Sequence, residues 1–363
     1  MLVKMPEYYR EFKCIAGKCS DSCCDGWKIK IDEKTAEIYR SHKGVLSEKF
    51  EKFFTDGNYF ILDGSRCPFL NNENTCDIFI HMGEENLSNV CSFYPRRIQT
   101  CGNVMYAAMN LSCPEVMRLV LEEREGIKYI TYDDGKDAIK ENDGPDILLI
   151  EETFRRIIND RRFSLKKRMM MCIFIADNLS ENRDTSILSG YNDDMGVLEL
   201  AQALPDESRM NNQDVQYEML KELLIIYSDI CLTRKHDSLT IELMREYKEN
   251  GLNIPYINEE KYAPYTYQYE NFITGCMFRY ITECNNIEDI FKIMVRICVG
   301  YAIVRAVDAM CLKNYGNINT EQQIEIMHYY CKITEHSETD NHKIQSVIFD
   351  GGYDDMVHMM VLI

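Results

Sequence analysis

Beyond residue 113 the apolar positions recur at intervals of three and four, the spacing that places one face of a helix against a core. That rhythm predicts helices over Asp146–Arg161, Ser164–Leu179, Val215–Lys235, Ser238–Tyr247, Tyr269–Cys284, Ile287–Met310 and Thr320–Glu335, with an earlier one at Glu115–Arg124 behind Pro114. Ser164 and Thr320 read as N-caps, and Asn250-Gly251 as the close of the helix before it. Before residue 113 no period is sustained. Trp27–Lys30 (WKIK) and Tyr59–Leu62 read as short strands, and a single helix is expected from Asp32. The polar run Asp133–Pro145 reads as a connection. The pattern therefore predicts a mainly α protein in two parts. A cysteine-rich, loop-and-strand part covers 1–125, a linker 126–145, and an all-helical part 146–363.

Composition changes the picture at the N-terminal end. The chain has 363 residues, 45% of them hydrophobic, enough to build a core without covalent staples. It nevertheless carries 16 cysteines, and Cys14, Cys19, Cys23, Cys24, Cys67, Cys76, Cys91, Cys101 and Cys113 all precede residue 114. Disulfide frameworks belong to small exported chains, whereas the opening MLVKMPEYYREFKC has no apolar run before a cleavage site. A reducing, cytoplasmic setting is expected, in which clustered thiols serve as metal ligands. The longest apolar stretch, Ile293–Val307, is broken by Arg296 and Arg305, so membrane insertion is not expected. A net charge of -18 excludes nucleic acid as the principal partner. The seven later cysteines (Cys172, Cys231, Cys276, Cys284, Cys298, Cys311, Cys331) lie in helical, apolar segments and read as core residues.

The early thiols follow Cys14-x4-Cys19-x3-Cys23-Cys24, then Cys67-Pro68, Cys76, Cys91 and Cys113-Pro114. A backbone loop wraps one centre only when successive thiolates are a few residues apart, and Gly17 and Gly26 supply turns around the first group. Cys14, Cys19, Cys23, Cys24, Cys67, Cys76 and Cys91 are the candidate ligands. Zinc ordinarily shows a second C-x2-4-C pair, which is missing; an iron–sulfur cluster accepts ligands from scattered loops. Iron–sulfur is the preferred reading and zinc the alternative.

These strings have a counterpart. FKCIAGKCSDSCCDGWKIKID (Phe12–Asp32), RCPFLNNENTC, Gly83-Glu84 with Cys91 and the following YPR, and the closing NLSCPE resemble, in order, the bacterial flagellin lysine-N-methylases. Their N-terminal part falls in a wider group of cysteine-rich, zinc- or iron-chelating domains. The resemblance covers about the first 120 residues. It implies transfer of methyl groups from S-adenosylmethionine to flagellin lysines, and a four-iron, four-sulfur (4Fe-4S) cluster on the N-terminal cysteines. Membership of the wider group implies metal binding alone, so a non-enzymatic zinc- or iron-binding protein is the competing reading.

Standard cofactor loops are missing. No two glycines are separated by a single residue, which excludes the usual Rossmann loop for adenosylmethionine, and the radical-type C-x3-C-x2-C is broken because position 26 is Gly26. A metal centre could then take over the binding of the cofactor's amino and carboxylate groups. The chemistry further requires a lysine amine, pKa about 10.4 in water, to lose its proton and meet the methyl carbon in line at about 3 Å. Asp25, Tyr94 and Arg96, together with the sole tryptophan Trp27, lie within the cysteine loops and are the polar and aromatic candidates for that neighbourhood.

Overall fold

The chain's first residues already form structure. Leu2–Pro6 (β1) lies between Val104–Met109 (β3), to which it runs parallel, and Tyr129–Asp133 (β4), to which it runs antiparallel; Arg96–Cys101 (β2) completes a four-stranded sheet of order β2-β3-β1-β4. The register sets Val3 beside Met105 and Tyr132, and Gln99 beside Tyr106. The computed structural model describes residues 1–136, 146–234, 238–250 and 259–363, with only the backbone at 259 and 260. Within the stretch expected to link the two parts, Tyr129–Asp133 is thus an edge strand, and 137–145 lie outside the described residues.

The helical remainder follows the apolar rhythm closely. Ile147–Ile158, Leu165–Asn182, Gln213–Leu232, Leu239–Glu249, Thr266–Ile281, Ile290–Tyr315 and Thr320–His336 stand at the predicted places, and Asp146, Ser164, Asn212 and Ser238 cap their N-termini with side-chain oxygens. One cap differs from expectation. Asn319, not Thr320, caps the last of these through a reciprocal bond pair with Gln322. Asn250 sits at the end of the 239–249 helix as expected, and Gly251 lies outside the described residues. Three further helices, Asp194–Ala203, Glu338–Phe349 and Met356–Leu362, carry too few apolar repeats to be read from the sequence. All seven later cysteines are buried, as their apolar settings imply. Among the described residues no helix is long and apolar enough to cross a membrane.

Three clusters of buried apolar side chains result among the described residues. The largest runs from Tyr8 and Phe12 through Tyr106, Leu111 and Val116 to Ile363, so β3 shares it with helices from the end of the chain. A small core gathers Ile29, Ile31, Tyr39, Phe50, Phe60, Phe69 and Ile78 around Cys67, and Val3, Met5 and Ala107 form a third cluster on the sheet. WKIK and Tyr59–Leu62, expected as strands, make isolated bridges in place of a ladder, Lys30 with Tyr59 and Phe54 with Phe60.

Helix contact in the large core is close. A Cβ built at Gly300 would stand 2.8 Å from the ring of Tyr330, which is itself 3% exposed. Gly300→Ala should therefore lower stability by about 1–2 kcal/mol net in a urea titration, because overpacking outweighs the helix-propensity gain. A stabilised variant would show that these helices have room to separate.

Candidate functional site

Each cysteine loop is pinned to something else. Gly17 lies so near the 73–75 turn that a Cβ would come within 2.8 Å of the Glu73 carbonyl oxygen, which holds the Cys14–Cys19 loop against the turn before Cys76. Asp21, 5% exposed, accepts from Lys332 Nζ at 2.6 Å, with His328 Nδ1 3.8 Å from its other oxygen. That fastens the first loop to the Thr320–His336 helix. Gly26, at φ +91°, turns the chain where a side chain would press on Lys332, and its carbonyl accepts from Arg234 Nη1 at 3.1 Å. Asp32 joins two segments of the small core by accepting from Thr35 N at 3.1 Å and Asn89 N at 2.9 Å.

Burial pushes the Asp32 carboxyl upward, but these backbone donors outweigh it and hold the pKa below the ordinary value. A depressed carboxyl contributes stability above its unfolded pKa, about 3.9, and loses it as pH falls through the folded value. Asp32→Ala should cost about 1–2 kcal/mol at pH 7, the loss of an N-cap, and the difference from wild type should shrink below about pH 4. A gap independent of pH in parallel urea titrations would count against this role.

The electrostatic neighbours of each thiol sort the cysteines into two sets. Cys67 is influenced by Cys24, Cys91 and Cys76; Cys91 by Cys24 and Cys76; Cys76 by Cys24. Cys113 is influenced by Cys19 and Cys14, Cys19 by Cys14, and Cys23 by Cys113 and Cys14. The sets touch at Cys23 and Cys24, whose thiols hydrogen-bond to each other. That bond raises Cys23 and lowers Cys24 to about 7. Burial pushes Cys91 and Cys113 up to about 12 and raises Cys19, Cys67 and Cys76 as well. Cys101 stands apart, its sulfur against the Thr282 carbonyl.

Among the described residues no three His, Cys, Asp or Glu side chains converge closely enough to hold one metal ion. Tetrahedral zinc would place its sulfurs about 3.8 Å apart. A cluster spreads four thiolates around a larger body. The donor set on these loops is cysteine alone, a set that serves either a zinc ion or an iron–sulfur cluster.

A cleft lies beside the second thiol set, between the cysteine loops and the Thr320–His336 helix. The Trp27 ring stacks on His336 with centroids 4.7 Å apart and planes at 22°, and Tyr94 stands 5.7 Å from His336 and 6.1 Å from Trp27. Trp27 Nε1 donates to the Cys23 carbonyl at 2.7 Å. The Tyr94 hydroxyl meets Ser112 Oγ at 3.2 Å, and burial, followed by the influence of Cys113, pushes its pKa well above 10. Two cavities of about 750 and 810 Å³ share Trp27, His336 and Glu338 in their walls. Asp25 and Asp340 border the first; Tyr94, Arg96, Asn110 and Glu335 border the second.

Of the polar residues singled out in the sequence, Asp25, Tyr94 and Arg96 all reach this cleft, although Arg96 is also held over the rings of Tyr9 (5.6 Å) and Phe12 (5.1 Å). Sequence reasoning missed Cys113 as a member of a thiol set, and missed Lys332, Glu335 and His336 altogether. Cys113-Pro114 was a signal for the first. The other three end an ordinary amphipathic helix and carry none. Burial holds His336 below its ordinary pKa, so its ring is neutral at pH 7. Glu335 accepts from Leu111 N at 3.3 Å and Ser112 N at 3.1 Å.

Residues 151–362, more than half of the chain, match the family model described as "FliB lysine N-methylase C-terminal domain". The chain belongs to this lysine N-methylase family. Residues 13–114 match a second model, described as "Putative zinc- or iron-chelating domain", so both halves of the lysine N-methylase architecture border the cleft. Over 136 residues the chain is 29% identical to "Flagellar biosynthetic protein FliU" of Salmonella muenchen, a match spanning 34% of this chain and 80% of that protein. It is 28% identical over 136 residues to "Lysine-N-methylase" of Salmonella typhimurium and of Salmonella choleraesuis. The matched stretch spans about a third of the length of those two methylases. No solved structure matches.

Proposed function

We propose that this protein methylates lysine side chains of a protein substrate, flagellin, using S-adenosylmethionine and an iron–sulfur cluster held by its N-terminal cysteines, in the cytoplasm. The observation that carries this reading is the shared aromatic wall, Trp27 and His336, where two cavities meet between the cysteine loops and the methylase domain. A bisubstrate reaction needs two adjoining compartments. In the first, Asp340 is paired with Arg234 at 2.7 Å, which leaves Asp25 and Glu338 to receive a lysine ammonium beside Lys28 and Lys332; in the second, Arg96 and Arg97 would take the donor's carboxylate and Glu335 or Glu338 its amino group.

Cys14, Cys19, Cys23 and Cys113, beside Tyr94, would hold the cluster. Held by three of these thiolates, with its fourth iron open, it would supply a Lewis-acidic anchor for the donor's amino and carboxylate groups. The chain's own residues do the rest. The stacked Trp27–His336 pair would line one side of the lysine stem and keep water from it, which favours the neutral amine over the ammonium. The amine lone pair forms the new C–N bond as the methyl–sulfur bond breaks, its electron pair staying on sulfur, and the proton leaves the nitrogen. Neutral His336 is the available acceptor; Tyr94, with its phenolate disfavoured, donates toward Ser112 or stacks.

Anaerobically purified protein, incubated with methyl-labelled adenosylmethionine and flagellin, should transfer label to lysine. Label-free flagellin with cluster-loaded protein would refute the reading. Adenosylmethionine binding that survives complete cluster removal would refute the anchoring role.

A further inference from the structure

We infer that the second cavity seats the α-amino-acid end of the methyl donor: Arg97 and the Asn110 amide take its carboxylate, Glu335 takes its ammonium, and Arg279 with Glu283 positions the two groups that hold the carboxylate. The inference rests on S-adenosylmethionine being the donor, as proposed above, and not on the metal.

In the antiparallel pairing of β2 with β3, Arg97 stands opposite Ala108, and just beyond the last pair Asn110 N donates to the Pro95 carbonyl at 2.7 Å. Facing residues of such a pair, and residues two apart on one strand, share a side, so Arg97 and Asn110 project to the same side. Arg279, 6% exposed on the Thr266–Ile281 helix, ties them together there. Its Nε donates to Asn110 Oδ1 at 3.0 Å, its Nη1 stands 2.5 Å from Glu283 Oε2, and the other oxygen of Glu283 accepts from Arg97 Nη2.

The contact with Arg279 decides which way the amide faces. A guanidinium N–H only donates, so the atom turned to Arg279 is the amide oxygen, and the NH2 group is directed away from it. Asn110 is 7% exposed, borders the cavity, and its amide nitrogen meets no acceptor among the described residues. Arg97, whose side chain is half-exposed, has the rest of its guanidinium free for a ligand beyond the one bond to Glu283. Two guanidinium charges against one carboxylate leave Arg97, Glu283 and Arg279 with a net positive charge, and an amide donor beside that charge is suited to a carboxylate.

The opposite sign comes next along the chain. Glu335 accepts from Leu111 N at 3.3 Å and Ser112 N at 3.1 Å, the two residues after Asn110, and borders the same cavity as Glu338 does. Donors for a carboxylate beside acceptors for an ammonium match an α-amino-acid zwitterion. Phe93 and Ile98 also border this cavity, and both are exposed. A free amino acid is too small to cover them as well, whereas the adenosyl part of the donor can.

The test is calorimetric binding to the full chain, purified anaerobically, of S-adenosylmethionine and of decarboxylated S-adenosylmethionine, which lacks only the carboxylate. Wild type should prefer the first about 10-fold to 100-fold, the worth of hydrogen bonds to a charged group. Asn110→Asp keeps an oxygen for Arg279 and replaces the free NH2 with a second oxygen. It should weaken adenosylmethionine about 10-fold to 100-fold and leave the decarboxylated compound bound no more weakly than before. Arg279→Met releases the amide and should reduce the preference about threefold to tenfold in protein of unchanged circular dichroism. If Asn110→Asp fails to fold, Arg97→Gln, at a half-exposed position, should show the same selective loss. Equal affinity of wild type for the two compounds, or equal loss of both in these variants, would overturn the site; an unchanged preference in Arg279→Met would overturn the positioning. Selective loss of binding while wild type leaves flagellin unlabelled would refute the methylase reading and keep the site. Labelled flagellin, with Asn110→Asp binding adenosylmethionine as wild type does, would do the reverse.

Discussion

Glu270→Ala should destabilise the protein by about 3–5 kcal/mol, read as a shift of the urea midpoint by circular dichroism at constant slope. Glu270 is 1% exposed on the Thr266–Ile281 helix and accepts from Arg168 Nη1 at 2.6 Å and from Arg161 Nη2 at 2.9 Å. Arg168, 2% exposed, reaches it from the Leu165–Asn182 helix, so the pair joins two long helices inside the large core. A guanidinium cannot shed its proton, and removal of the carboxylate leaves a buried positive charge without an anion. Arg161 is half-exposed, and Arg161→Ala should cost no more than about 1 kcal/mol. Replacing both partners of the buried pair, Glu270→Leu with Arg168→Met, should recover most of the loss, because the damage comes from the orphaned charge. A single-variant loss below about 1 kcal/mol would mean that water reaches Arg168.

The same pair shows where sequence reasoning stops. Ser164–Leu179 and Tyr269–Cys284 are legible as helices because each apolar stripe is a local pattern with caps of recognisable chemistry. That Arg168 meets Glu270 is a matter of how the stripes pack. The sheet is illegible for a related reason. LVKMP and YITYD are five residues long, lie more than a hundred positions apart, and hide Lys4 at 1% exposure through its 2.5 Å bond to Glu151. A lysine at the centre of a strand argues against burial until its partner on another element is known.

The candidate site divides along the same line. Short spacings exposed Cys14, Cys19, Cys23 and Cys24 as one neighbourhood, and the chain between them is too short to carry them apart. Spacing could not show that Cys23 and Cys24 have different companions, since that depends on where residues 67–91 and 113 return in space. Asp25, Tyr94 and Arg96 reach the cleft because they ride on cysteine loops. His336 comes from a helix whose pattern speaks only of packing, and it completes the cleft all the same.

Trp27→Ala should lower kcat/KM for a lysine-bearing substrate about 30-fold, the equivalent of about 2 kcal/mol for a desolvated cation against an indole face. Trp27 is the sole tryptophan, borders both cavities, stacks on His336 and donates to the Cys23 carbonyl at 2.7 Å. Its ring can therefore hold the lysine stem while its N–H fixes the loop that carries Cys23. Trp27→Phe separates these roles: it keeps an aromatic face and loses the N–H, and should cost about threefold to tenfold, the worth of one hydrogen bond. The wild-type indole is also a reporter, since nothing else in the chain shares its fluorescence, and its emission should change when either adenosylmethionine or a substrate lysine binds. If Trp27→Ala retains full kcat/KM and the emission is indifferent to both ligands, the methyl is transferred elsewhere on the protein, and the cleft between the cysteine loops and the Thr320–His336 helix is only a seam.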